Sequence, residues 1–177
     1  MLHDITFEVR RADELSDAQR AEIIDLCAAA YEEPFGWLFE LLPDSTHVLA
    51  RHEGTLVCHA AWVTRWLQPE GRAPLRTAYV EAVATAPERQ RRGLATAVMR
   101  ELQAQIGDYE LGALSPFDVG FYERLGWELW RGALATRTAD GPVPTPDEEV
   151  MILRLASTPA LDVSLPLSVE WRRGEVW

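Results

Sequence analysis

The chain has 177 residues, 47% hydrophobic and 25% charged, with 17 basic against 28 acidic side chains and a formal net charge of −11. This balance argues for one globular domain over residues 1–177 and against disorder, and the excess negative charge repels nucleic-acid phosphates while drawing cationic ligands toward any cleft. All 17 basic residues are arginine, which excludes a lysine Schiff base or a lysine nucleophile.

From the start of the chain, Met1-Leu2-His3-Asp4 lacks the basic opening and apolar stretch of a signal peptide. No apolar run approaches the roughly 20 residues that span a bilayer, so the expected location is cytoplasmic, with no membrane partner. Thr6 to Arg10 alternates as a short strand. Ser16 followed by Gln19 forms a capping box ahead of Ile23, Ile24, Cys27 and Tyr31 at helical spacing, which predicts the first helix. Residues 32–43 predict a loop and a short apolar helix through Trp37, Leu38 and Phe39, able to fill a core or line a cleft.

His47 to Arg51 and Thr55 to Trp66 are β-rich and flank His52-Glu53-Gly54, the pattern of a hairpin. Arg76 to Thr85 is dense in Val and Ala, as expected of a strand covered on both faces. From Gly93, residues Leu94, Val98, Leu102 and Ile106 repeat every four positions and form the apolar stripe of a helix. Leu111-Gly112-Ala113-Leu114 is a further buried strand, which makes a βαβ unit with two parallel neighbours. A helix over roughly 118–125 stops at Gly126. Residues 127–130, 149–155 and 168–171 are strand candidates, and 139–148 reads as a proline-braced acidic loop. Cys27 and Cys58 have apolar neighbours and no CxxC spacing, which favours buried reduced thiols. His47, His52 and His59 have no convergent acids or thiols at zinc spacing, so no metal is expected.

The chemistry concentrates between the central strand and its helix. In Arg89-Gln90-Arg91-Arg92-Gly93-Leu94-Ala95, three guanidiniums precede a small-residue helix entrance. Free helix N–H groups and the positive end of the helix dipole favour an anion, Gly93 admits its close approach, and arginines add charge-assisted bonds. A solvated basic patch is the plainer alternative. There is no GxxxxGK[ST] loop for a nucleotide triphosphatase and no GxSxG elbow for a serine hydrolase.

Gln90-x-x-Gly93-x-Ala95 after a Val-rich strand, followed by Phe121-Tyr122-Glu123-Arg124-Leu125-Gly126-Trp127, resembles the acetyl-CoA signature of the GNAT superfamily of N-acetyltransferases. Tyr79-Val80-Glu81, Leu111 to Ser115, Thr145-Pro146-Asp147 and the terminal Trp171-Arg172-x-Gly174-Glu175-Val176-Trp177 are similar to aminoglycoside 2'-N-acetyltransferases. The resemblance covers residues 76–177 well and the first 75 weakly. It implies an α+β GNAT fold, with a mixed central sheet of about seven strands splayed around acetyl-CoA and about four flanking helices. It implies acetyl transfer to the 2'-amino group of an aminoglycoside; another amine, such as a polyamine or a peptide N-terminus, and a non-catalytic acyl-CoA module are the alternatives.

Carried over residue by residue, the resemblance makes Glu81 and the carboxylate of Trp177 the bases, the Val83 N–H the oxyanion donor and Tyr122 the acid. Val83 and Thr85 would pair with the pantetheine arm, and Gln90, Arg91, Arg92, Gly93, Leu94 and Ala95 would hold the diphosphate. Ser115, Asp147, Glu175 and Trp177 fall to the acceptor side, with Glu149 or Glu148 beside them. Glu33 is one of the acids able to serve where residues 32–42 depart from the family pattern. Ala82 stands where Gly is frequent, which narrows the acceptor site. A homodimer is implied by resemblance alone.

Overall fold

The first helix starts where its capping box places it. Ser16 Oγ accepts the Gln19 N–H at 3.2 Å and the Gln19 side chain returns to the Ser16 N–H at 3.0 Å, which satisfies two orphan donors of α1 (Asp17–Tyr31). The computed structural model describes residues 4–177, so Met1, Leu2 and His3 of the expected chain start lie outside the described residues. Four α-helices and ten strands are present among them, and no helix is long and apolar enough to cross a membrane.

The chain divides into two compact units. The first holds the residues up to Val63 together with Val80–Gln105. In it β1 (Ile5–Arg11) pairs antiparallel with β2 (Thr46–His52), and β2 pairs antiparallel with β3 (Thr55–Pro69). The β2–β3 turn puts Glu53 at φ 50° and Gly54 at φ 81°. Two consecutive left-handed residues give the turn whose twist matches that of the flanking strands, as the His52-Glu53-Gly54 pattern predicts. The short α2 (Leu38–Leu41) buries Leu38. The helix α3 (Leu94–Gln105) packs against β2 and buries Leu94, Val98 and Leu102, each contributing about 1.5–3 kcal/mol.

The second unit holds Thr64–Tyr79 and Ile106–Trp177. The hydrogen-bonded order is β6-β9-β5-β4-β3-β10-β7-β8, where β4 is Leu75–Thr85, β5 Leu111–Leu114, β6 Glu128–Leu129, β7 Leu134–Thr138, β8 Gly141–Pro144, β9 Met151–Arg154 and β10 Leu167–Glu170, and where β3 and β4 belong to this unit through Thr64–Pro69 and Leu75–Tyr79. β4 and β5 are parallel, as the βαβ reading requires, and their ladder comprises Thr77↔Leu111, Ala78↔Gly112 and Tyr79↔Ala113. It stops at Tyr79, and Val80–Thr85 continue β4 without it. α4 (Val119–Glu123) is capped by Asp118, and Gly126 follows at φ 90°.

One expectation is corrected. Residues 139–148 are not a loop throughout: β8 pairs antiparallel with β7 from Ala135↔Pro144 to Thr138↔Gly141, and β7 itself is not marked in the sequence pattern. Pro142 and Pro144 are tolerated because β8 is the last strand in the order, where one edge needs no N–H donor. The mixed sheet is as expected, with these two strands as additions.

Candidate active site

In the first unit the end of β4 departs from regular strand. Ala82 has φ 52°, a left-handed conformation that costs a residue with a Cβ about 1–2 kcal/mol. Side chains hold the backbone at this residue and at the next. The Ala82 carbonyl lies 2.8 Å from His59 Nδ1, and the Val83 carbonyl accepts from the Tyr31 hydroxyl at 3.0 Å. Glu81, Ala82, Val83 and Thr85 are each half-buried. Thr85 Oγ1 meets Cys58 Sγ at 3.1 Å, and its carbonyl accepts from the Gln90 side chain at 3.5 Å.

The helix entrance follows directly. Pro87–Arg89 form a 3-10 turn, and Arg91 at φ 61° and Gly93 at φ 81° turn the chain into α3. Ala97 N–H donates to the Gly93 carbonyl at 3.0 Å, so Gly93 is the N-cap and the amides of residues 93–96 have no acceptor within the helix. A Cβ placed on Gly93 would meet nothing within 4 Å. Arg91, Arg92 and Gly93 are exposed, whereas the Leu94 side chain points into the core and leaves only its amide for a ligand. Open space over a glycine, four free amides and exposed guanidiniums together fit a diphosphate. Glu33 is exposed just beyond α1, after Glu32 ends that helix at φ 58°.

In the second unit Tyr122 is 2% exposed and lies in the last turn of α4 rather than at its entrance. Its ring meets Phe121 edge-on at 4.9 Å, Phe117 at 5.9 Å and Trp127 at 6.3 Å. Burial, with the Asp118 carboxylate second, raises the phenol above its ordinary value. The proton is therefore retained at neutral pH, which an acid needs, and is also held more tightly. Ser115 is exposed immediately after β5.

The tail folds back on this unit. Trp177 is 4% exposed, and its indole N–H donates to Thr145 Oγ1 at 2.8 Å. Two sequence motifs that lie 32 positions apart are thereby brought together. Asp147 is exposed on the turn from Thr145 to Glu148, Glu149 is exposed just after it, and Glu175 is exposed in the tail. Arg65 donates to the Val176 carbonyl at 2.9 Å and ties the tail to β3.

His59, Tyr31 and Arg65 hold these segments and were not among the residues singled out for the site. The available signal for two of them was a polar residue inside an apolar strand: His59 in Val57-Cys58-His59-Ala60-Ala61 and Arg65 beside Val63 and Leu67. His47 and His59 face each other at 2.8 Å. Among the described residues no group of three His, Cys, Asp or Glu side chains is placed to hold a metal ion.

Residues 10–130 match the Acetyltransferase (GNAT) domain family. An aminoglycoside 2'-N-acetyltransferase of Mycolicibacterium fortuitum is 39% identical over 138 residues, covering 74% of this chain and 70% of that protein. Among solved structures, the GNAT family N-acetyltransferase YhbS from Escherichia coli in complex with CoA superposes with a TM-score of 0.65 at 17% identity, over 95% of this chain and 91% of that one. Eis1 from Mycobacterium abscessus gives a TM-score of 0.61 at 21% identity over 73% of this chain. This chain spans 33% of the length of Eis1. At these identities the structural likeness carries the fold, and the sequence matches carry the family. The chain belongs to the GNAT acetyltransferase family.

Proposed function

We propose that the chain is an acetyl-CoA-dependent N-acetyltransferase that modifies the 2'-amino group of an aminoglycoside by direct transfer. The observation that carries this reading is the 39% identity over 138 residues to a protein named for that activity. A tail whose last residue is buried supports it, because an acceptor site that uses the chain-terminal carboxylate needs that tail held.

Acetyl-CoA supplies an activated acyl carbon on a good leaving group. The amides of residues 93–96, with Arg91, Arg92 and Gln90, bind the diphosphate, and Val83 and Thr85 pair with the pantetheine arm. An aminosugar nitrogen arrives protonated and must lose that proton before it attacks. Glu81 and the Trp177 carboxylate accept it through water. The nitrogen then forms a bond to the thioester carbon, and the Val83 N–H stabilises the negative charge developing on the carbonyl oxygen. As the carbon–sulfur bond breaks, Tyr122 gives its proton to the sulfur, the nitrogen sheds its second proton through water to become the neutral amide, and the phenol is reprotonated from solvent. Ser115, Asp147, Glu149 and Glu175, with Glu33 and the Ala82 turn, recognise the polycationic acceptor. The net charge of −11 favours the encounter with such a substrate. The protein acts in the cytoplasm as a single catalytic domain in a homodimer.

Paired acceptors test the reading. An aminoglycoside with a 2'-amine should release CoA thiol and yield the 2'-acetamide, and its 2'-hydroxyl counterpart should not. Equal turnover of both overturns the regiochemical assignment, and turnover of a simple polyamine alone assigns a different amine. Acetyl-CoA binding without thiol release from any amine leaves only a binding module.

A further inference from the structure

β3 buries a histidine in the middle of an apolar run. His59 and His47 are both fully buried, and burial pushes their imidazoles down to about 4 and about 3 respectively. Each ring is then neutral near pH 7, with one N–H and one lone pair. Ser45 Oγ lies 2.8 Å from His47 Nε2, His47 Nδ1 lies 2.8 Å from His59 Nε2, and His59 Nδ1 lies 2.8 Å from the Ala82 carbonyl oxygen. These contacts form a line of three links with three hydrogens to fill it.

Only one arrangement fills every link. A carbonyl oxygen cannot donate, so His59 carries its hydrogen on Nδ1 and presents a lone pair at Nε2. His47 must then donate from Nδ1, and its Nε2 lone pair takes the Ser45 hydroxyl hydrogen. That hydroxyl has Leu42 O in reach as well, at 2.7 Å, but the Ser45 backbone N–H already serves this carbonyl at 3.2 Å. Any other assignment sets two lone pairs against each other inside the core.

Peptide planarity carries the consequence to the site. The C=O and N–H of one trans peptide point in opposite directions, and every described peptide here is trans. A donor that draws the Ala82 carbonyl into the core therefore turns the Val83 N–H out of it. We infer that His59, backed by His47 and Ser45, is a positioning residue that holds the left-handed Ala82 turn and so aims the Val83 N–H at the reacting carbonyl. This rests on the reading of that N–H as the oxyanion donor.

Nitrogen-15 NMR of the full chain labelled in histidine reads the tautomers without any substrate. The expected result is Nδ1–H on both rings. An Nε2–H tautomer or an imidazolium at His59 near pH 7 overturns the inference, whatever the activity.

The kinetic arm compares His59→Leu, which has no donor, with His59→Asn, whose amide nitrogen stands close to the place of Nδ1. Removing an oxyanion donor costs about 10²–10³ in kcat, so misdirecting one in His59→Leu should cost on the order of 10- to 100-fold. The acceptor KM should stay within about threefold, since the lost interaction is made in the transition state. His59→Asn should recover most of kcat. Equal kcat per folded molecule in His59→Leu and wild type overturns the inference, as does equal loss in both variants. If neither variant folds, the wild-type tautomers decide. The expected tautomers in a protein that acetylates no 2'-amine support the positioning and count against the proposed activity alone.

Discussion

Arg65 donates through Nη1 to the carbonyl of Val176 at 2.9 Å, although 111 positions separate them. Arg65 is 3% exposed, and its guanidinium also pairs with Glu170 Oε1 through Nε and with the Glu170 carbonyl through Nη2, both at 2.7 Å. Burial and the nearby Arg172 lower its pKa, while Glu170 raises it. One side chain thus spends three donors on β10 and the tail. Arg65→Met keeps much of the apolar stem and removes all three, which should cost about 1–3 kcal/mol for the acceptors left without a partner. The sharper readout is local: carboxypeptidase should remove the last residues from the variant faster than from wild type. Equal digestion rates would detach Arg65 from the order of the tail.

The Trp177 indole is held at Thr145, so the terminal carboxylate can be displaced without losing the ring. Adding one glycine after Trp177 moves the carboxylate by one residue and should lower kcat by about 10²-fold or more if that group acts as a base. Deleting Trp177 should cost at least as much. A fully active extension would remove the terminal carboxylate from the mechanism.

His47 and His59 make stability fall in acid. Their imidazole values in the folded state, about 3 and about 4, lie below the unfolded value of 6.5. The unfolded chain therefore binds protons first, and stability present above pH 6.5 is lost as pH falls toward 4. Each histidine contributes up to about 1.4 kcal/mol per pH unit across that window. Urea unfolding at pH 7, 6, 5 and 4.5 measures the slope. A His47→Gln variant should show a shallower fall than wild type, and parallel curves would mean that His47 is not buried as a neutral ring.

Two glycines should separate by mechanism when changed to alanine. A Cβ on Gly132 would sit 1.8 Å from the Leu165 carbonyl oxygen, so Gly132→Ala must move backbone and should cost about 1–3 kcal/mol or more. Gly93 has open space but φ 81°, so Gly93→Ala costs only about 1–2 kcal/mol of backbone strain. Its main effect should be a raised KM for acetyl-CoA. Thermal unfolding and donor kinetics on both variants check this, and an unchanged donor KM in Gly93→Ala would argue against the helix entrance as the diphosphate site.

The two thiols should be inert in the native protein. Burial pushes Cys27 up to about 12 and Cys58 up to about 11, and both are free and buried. Since the thiolate is the reactive form, a disulfide reagent at pH 8 should label neither until denaturant is added. Rapid native labelling would show that the core around α1 and β3 opens.

The local elements of this fold could be read from the chain. A capping box at Ser16 and Gln19, the Glu53-Gly54 turn, the four-residue apolar stripe from Leu94 and the βαβ order all rest on interactions between near neighbours, and each leaves a period or a punctuation mark in the sequence. The helix entrance at residues 89–95 was legible for the same reason. The β7–β8 hairpin was hidden because Pro142 and Pro144 look like loop markers until their strand is known to lie at an edge.

What only the tertiary structure decided is how the chemical groups are held. His59 reaches Ala82 across 23 positions, Tyr31 reaches Val83 across 52, and Arg65 reaches Val176 across 111. Such bonds join a side-chain donor to a distant carbonyl, and the acceptor is a backbone atom that every residue carries. No residue type at the receiving end marks the partnership, so it exists only once the chain has brought the two together.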